Sequence, residues 1–220
     1  MSSAGPEERK GAAPSTVAYR LDGKIYLNIT NRCSADCVFC LAKFTDTFRG
    51  YNLRLAKEPA ADEILKDLEL AFLDGPADEV VFVGFGEPTL RLDEVLGTVE
   101  WLKVRRIPSR LNTNGHGQLI NPGRDVVAEL AAAGLDAASI SLVAHNSEVY
   151  NQLCRPIFSK AYRAVLKFAE DCISAGIRVT LSVVDLPEVD IEACRSIAER
   201  MGADFRVRPL LTPASGEVRS

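Results

Sequence analysis

Three cysteines concentrate the chemistry this chain can do. Cys33, Cys37 and Cys40 stand in the run Arg32-Cys33-Ser34-Ala35-Asp36-Cys37-Val38-Phe39-Cys40, spaced C-x3-C-x2-C with an aromatic just before the last thiol. Three thiolates on one loop can ligate three corners of an iron–sulfur cube, whereas closed cluster sites use four. This spacing offers no fourth cysteine nearby, so the fourth iron is left open to a substrate or cofactor. The competing reading is structural zinc, normally closed by four Cys or His ligands. Only two histidines exist, His116 and His145, and neither neighbours the triad; Cys154, Cys172 and Cys194 form no second pair. The spacing favours the open cluster over zinc.

The segments that must position these thiols alternate between two periodicities. Strand-like runs at Lys24–Thr30, Glu79–Gly84, Ser109–Asn114, Ala137–Leu142, Arg178–Val184 and Phe205–Leu210 are separated by helical stretches. Ile64, Leu68, Ala71 and Phe72 share one helix face, Leu92, Val95, Val99 and Leu102 another, and Gly134, Gly176 and Gly202 stand where helices should end. Strand and helix in repetition imply parallel strands with right-handed crossovers. A sheet covered by helices on both sides tends to be apolar on both. Here Leu27, Leu111, Ile140, Leu181 and Phe205 fall on one face, and Asn28, Asn112, Ser139, Thr180 and Arg206 on the other. The pattern predicts an α/β fold, a partial (β/α)6 barrel of parallel strands with outer helices, curled around a polar cavity. In barrel-like folds chemistry gathers at the C-terminal strand ends. The cysteine loop follows the first strand, Gly86-Glu87-Pro88 the second, Asn112 and Asn114 close the third, and Ser141 closes the fourth.

The totals bound the rest. A chain of 220 residues, 47% hydrophobic and 25% charged, suits one compact domain. A net charge of -4, from 26 basic and 30 acidic residues, argues against nucleic acid as a partner. No stretch is apolar for long enough to span a bilayer. Six cysteines in this length do not resemble a secreted disulfide scaffold, so a reducing, cytoplasmic location is expected. Residues 1–17 read as a disordered leader, 18–211 as the domain, and 212–220 as a loose tail.

With these residues in view, the chain resembles the radical S-adenosylmethionine (SAM) superfamily. The resemblance is carried by Cys33-x3-Cys37-x-Phe39-Cys40 and by Gly84-Phe85-Gly86-Glu87-Pro88 after the next strand. More narrowly it resembles the TatD family-associated radical SAM proteins, through Asn28-Ile29-Thr30-Asn31-Arg32-Cys33, Arg110-Leu111-Asn112-Thr113-Asn114-Gly115-His116, Leu153-Cys154-Arg155-Pro156 and Phe205-Arg206-Val207-Arg208-Pro209. The resemblance implies a [4Fe-4S] cluster on Cys33, Cys37 and Cys40, with SAM chelating the open iron. An electron then cleaves SAM to methionine and a 5′-deoxyadenosyl radical, which abstracts a substrate hydrogen. It further implies that backbone groups around Gly84, Gly86, Glu87 and Pro88 hold the methionine amino group and that Phe39 flanks the adenine. Asn112, Asn114, Ser139, Ser141 and Ser182 are the other candidate cofactor contacts. One departure from the usual Gly-Gly-Glu-Pro is Phe85, which stands in place of a glycine.

Arg110, Arg206 and Arg208 are candidate substrate residues, because arginine forks suit carboxylates and phosphates. Cys154, His116 and His145 are candidate catalytic groups, each weighed against a structural role. Cys172 and Cys194 read as buried small hydrophobes. A partial barrel leaves one side open, and Leu41–Leu55 is long enough to act as a lid. The expected partners are a small-molecule or protein substrate and an electron donor such as flavodoxin or ferredoxin. Within the superfamily, a 7-carboxy-7-deazaguanine synthase-like enzyme and a glycyl-radical activating enzyme remain open. Outside it, a non-catalytic metal-binding interaction protein does.

Overall fold

The computed structural model describes residues 14–211. The chain enters as a hairpin, β1 (Ala18–Leu21) and β2 (Lys24–Leu27), paired antiparallel about the Asp22-Gly23 turn. Both turn residues have positive φ, 48° and 77°, as a two-residue hairpin turn requires. A small second hairpin follows, β3 (Thr47–Phe48) and β4 (Tyr51–Asn52), then α1 (Ala61–Phe72). From there strand and helix alternate: β5 (Val80–Phe82), α2 (Leu92–Val104), β6 (Ser109–Thr113), a short α3 (Gly117–Ile120) and α4 (Val126–Ala133). Then come β7 (Ala137–Ser141), α5 (Ser147–Cys154), α6 (Ala161–Ser174), β8 (Arg178–Val184), α7 (Ile191–Met201) and β9 (Asp204–Arg208).

The main sheet runs β1-β2-β5-β6-β7-β8-β9, and every pair after the first is parallel. The six parallel strands follow chain order without reversal, so the sheet winds in one direction. Doubly wound sheets reverse at a switch point and carry helices on both sides. The expected partial barrel is therefore the observed architecture. The seventh strand, β1, was not expected. Its four residues are too few to show a periodicity, although Asp22-Gly23 is a hairpin signal in itself.

One face of the sheet packs on the helices. Ile25, Leu27, Phe82, Leu111, Ile140, Leu181 and Val183 are buried there against Ile64 and Leu68 of α1, Val95, Val99 and Leu102 of α2, and Phe168 and Cys172 of α6. Each such side chain contributes roughly 1.5–3 kcal/mol of transfer free energy. Gly134 and Gly202 adopt φ of 99° and 73° and end α4 and α7, as anticipated. Asp125 and Asp190 open those two helices by accepting hydrogen bonds from the Ala128 and Ala193 amides.

The other face is lined in rows fixed by the register. Tyr26, Val81, Arg110, Ala137 and Arg178 align near the N-terminal ends. Asn112, Ser139, Thr180 and Asp204 form the next row, then Ser141, Ser182 and Arg206, with Arg208 beyond. Residues 1–13 and 212–220, on which most of the expected leader and the whole expected tail fall, lie outside the described residues. Thr16 and Val17 are bonded to the fold: the Thr16 amide donates to Asn52 O, and the Asn28 amide donates to Val17 O.

Candidate active site at the cysteine rim

The loop after β2 is held from two sides. On one side it is strapped to the C-terminal turn of α5. The Asp36 amide donates to Cys154 O at 3.0 Å, Val38 N to Leu153 O at 2.9 Å, and Ile157 N to Ser34 O at 3.1 Å. This accounts for the Leu153-Cys154-Arg155-Pro156 segment, whose Pro156 bridges to Ala35. On the other side Glu87 N donates to Arg32 O at 2.8 Å. Gly86 must be glycine for that approach, since a Cβ there would sit 2.4 Å from Thr30 O and 2.5 Å from Arg32 O. At Gly84 a Cβ would sit 2.1 Å from Asn28 Oδ1.

Glu87 itself is fully buried, with its carboxylate bound by Thr89 N, Thr89 Oγ1, Thr113 Oγ1 and Asn114 N at 2.7–3.1 Å. Burial pushes its pKa up, and these four donors oppose the shift. The side chain therefore ties the β5 exit to the end of β6. The Glu87 backbone, expected to hold an amino group, is itself engaged: N–H to Arg32 O, and C=O from Leu90 N.

Asn114, expected as a cofactor contact, is committed to the loop. Its Nδ2 donates to Ser34 Oγ at 2.9 Å and reaches Cys33 Sγ at 3.7 Å, and its Oδ1 accepts from His116 N. His116 is not a rim group. It is wholly buried, with Nδ1 at 2.9 Å from Ser34 Oγ and Nε2 at 2.8 Å from Tyr150 OH. Burial lowers its pKa to about 4, so it stays neutral. Cys154 lies next in reach of Tyr150, and Cys37 in reach of Cys154. That contact holds the Cys37 thiol below its ordinary range and drives Cys154 far above. Ser34 and Tyr150 were missed in the sequence because neither pairs with anything nearby in the chain. His145, the other candidate acid or base, accepts the Asp190 amide at 3.2 Å and so steadies the start of α7.

Of the arginines, Arg110 is already bonded. It lies near the N-terminal end of β6, away from the rim, and its fork is taken by Glu79 at 3.0 Å on each arm and by Asn112 Oδ1 at 2.9 Å. Lys24 joins the same carboxylate. Arg206 and Arg208 lie at the C-terminal end of β9. Ser139 and Ser141 are half-buried on the concave face and Ser182 is buried there. Val143, just past β7, has φ of 63°, a strained value for a β-branched residue, and its amide donates to Ser182 O. Strain of this kind collects at functional rims.

The departure at Phe85 has a partner, since Arg54 lies 5.2 Å from its ring centroid. The Leu41–Leu55 segment is thus docked on the site rather than free. Its far end is pinned by Leu53 O, which accepts from Asn28 Nδ2, and by Tyr51 OH, which donates to Arg20 O. A cavity of about 430 Å³ lies elsewhere, between β1 and α1, and none of its lining residues belongs to the cysteine loop.

Among the described residues no three His, Cys, Asp or Glu side chains gather closely enough to hold a single metal ion. The three thiols are free and spread along one loop, with Asn114 and Cys154 at the sulfurs of Cys33 and Cys37. Such spacing suits a cluster, whose ligands bind separate irons. A family model described as the radical SAM superfamily matches residues 27–201. The chain belongs to this superfamily. Membership brings a [4Fe-4S] cluster and SAM as cofactors, and the cysteine loop fits the first.

A probable GTP 3',8-cyclase of Halobacterium salinarum is 32% identical over 157 residues, covering 70% of this chain and 40% of that protein. The GTP 3',8-cyclase of Streptomyces coelicolor is 29% identical over 210 residues, covering 91% of this chain and 56% of that one. The chain thus spans about half the length of these relatives. Among solved structures, Streptococcus suis SuiB bound to S-adenosylmethionine superposes with a TM-score of 0.67 at 19% identity, covering 86% of this chain and 41% of SuiB. TYW1 with a lysine-pyruvate adduct superposes at 0.63 and 14% identity, covering 87% of this chain and 66% of TYW1. These two likenesses show the fold. Among the described residues no helix is long and apolar enough to cross a membrane.

Proposed function

We propose that the chain is the catalytic domain of a radical SAM enzyme that abstracts hydrogen from a polar substrate held on the concave face. The observation that carries this is the cysteine loop: three free thiols at a strand end, fixed by backbone bonds on both flanks. When bound, the cluster and SAM supply the electron and the carbon–sulfur bond from which the 5′-deoxyadenosyl radical arises. The protein supplies position and exclusion. Glu87 fixes the β5 and β6 exits relative to each other. The Asn114–Ser34–His116–Tyr150–Cys154 network orients the loop from beneath. Phe39, Gly84, Gly86, Pro88, Asn112, Ser139, Ser141 and Ser182 are the proposed surroundings of SAM. Arg54 and Phe85 close one flank, keeping water from a reactive carbon radical.

The narrower kinship to the TatD family-associated proteins rests on the shared motifs, several of which have local roles here: Leu153–Pro156 straps the loop, and Asn114 and His116 brace it. The relatives that bear the name GTP 3',8-cyclase bring a nucleotide into consideration as substrate. The sheet does not close, β1 and β9 being its two edges, which also admits a protein substrate. A cytoplasmic location and a flavodoxin- or ferredoxin-type donor complete the proposal.

The test is anaerobic reconstitution and reduction. An electron paramagnetic resonance (EPR) signal that shifts on adding SAM, together with release of 5′-deoxyadenosine, is the expected result. A reduced cluster that ignores SAM would return the chain to the metal-binding interaction class.

A further inference from the structure

Among the described residues, the partly buried guanidinium groups are bonded to acids or carbonyls, with one exception. Arg91 bonds Glu94, Glu58 and the Pro59 carbonyl. Arg110 is held by Glu79, Arg124 by Glu129 and Asp93, and Arg20 by the carbonyls of Ala71, Gly75 and Pro76. Arg208 has no such partner among the described residues. Its Nε is buried without any hydrogen bond, and neither it nor Arg206 forms an ion pair among the described residues. An arginine cannot shed its proton to escape this. A desolvated donor on a retained charge is costly unless something answers it.

The surroundings make the arrangement less favourable still. Arg206, two residues away on the same strand face, adds a like charge, and burial and that charge together push the Arg208 pKa down. Register places Arg206 beside Ser182, itself beside Ser141, and places Arg208 beside Val184. Asp185, the next residue in chain, uses its amide on Arg208 O and leaves its carboxylate exposed. The pair therefore stands at the C-terminal end of β9, on the face that carries the polar rows, on the opposite edge of the sheet from the β1–β2 hairpin.

We infer that Arg208, assisted by Arg206, is an anion-recognition site, and that the substrate carries a carboxylate or phosphate group placed there. Planar forks of this kind bind both groups through paired hydrogen bonds. The inference deepens the reading of the chain as a radical SAM enzyme and rests on it for the nature of the ligand. The site itself rests on the unanswered charge.

The experiment is calorimetric titration of inorganic phosphate, and separately acetate, into reconstituted protein with and without saturating SAM. Saturable binding of at least one anion is expected in both conditions. Arg208→Met should weaken it about tenfold and Arg206→Met about threefold, in line with the strength of charge-assisted bonds. Arg208→Lys should retain part of the affinity and guards against a misfolded Met variant. Arg178→Met, exposed at the far end of the same face, should bind as wild type. Equal affinity in wild type and Arg208→Met, or no saturable binding of either anion, overturns the site. Binding only in the absence of SAM assigns the anion to the cofactor's own carboxylate and overturns the substrate reading. The EPR response to SAM is scored on the same wild-type sample. If it fails while Arg208-dependent binding persists, the radical reading falls and the anion site stands.

Discussion

The two ends of the concave face treat charge in opposite ways. Near the N-terminal strand ends Lys24, Glu79 and Arg110 answer one another at bonding distance. Burial acts to raise the Glu79 pKa, but Arg110 and Lys24 more than offset it and hold the carboxyl below its usual range. At the C-terminal ends the thiols are free, and Arg206 and Arg208 have no acid partner among the described residues. One end spends its bonding capacity on the fold, and the other keeps it for something else. Local rules of satisfaction are broken where function resides, and here they are broken at one rim only.

The sharpest way to break this contrast is at the thiols. Replacing any one of Cys33, Cys37 or Cys40 by Ala should reduce bound iron and 5′-deoxyadenosine to background, whereas Cys172→Ala, in the core, should keep both. Iron analysis after reconstitution reads the difference. The next effect is on stability. His116 ionises near 6.5 when unfolded but only near 4 when folded, because burial disfavours its charged form. The folded state is thus fully favoured above pH 6.5 and loses up to about 3 kcal/mol as pH falls from 6.5 towards 4. Urea unfolding of the cluster-free protein should show this slope, and His116→Gln should flatten it.

The arginines then separate the two ends directly. Arg110→Met leaves Glu79 half-answered and should cost about 2 kcal/mol, while Arg208→Met removes an unanswered charge and should cost less than about 0.5 kcal/mol or stabilise. Equal losses in the two variants would mean that the ends do not differ. The smallest effect concerns Cys154, which touches the Cys37 sulfur. Hydrogen bonds to ligand sulfurs set cluster potentials. Cys154→Ala should move the midpoint to lower potential with iron content unchanged, as a redox titration followed by EPR would show.

Much of the fold could be read from the chain because alternation marks one sheet face at a time. Leu111 and Ile140 announced the helix side, Asn112 and Ser139 the cavity side. The cysteine triad was equally plain, being a local spacing. What could not be read are partnerships across long separations. Ser34 meets His116 across 82 residues, and His116 meets Tyr150 across 34. Alternation put Arg110, Arg206 and Arg208 on one face, but only the folded position of Glu79 distinguishes the first from the others. Glu87 is a further case: its place after a strand was visible, yet its four donors come from both its own turn and β6.

The strap between Ser34–Val38 and Leu153–Ile157 has a consequence for how the protein ages. A loop laced to a helix terminus cannot rearrange alone, so oxidative loss of the inorganic core would loosen the last turn of α5 and, through the Tyr150–Tyr162 ring contact at 5.4 Å, the first turn of α6. Damage at the metal would thus be broadcast into the helical shell, where amide exchange or a protease could read it.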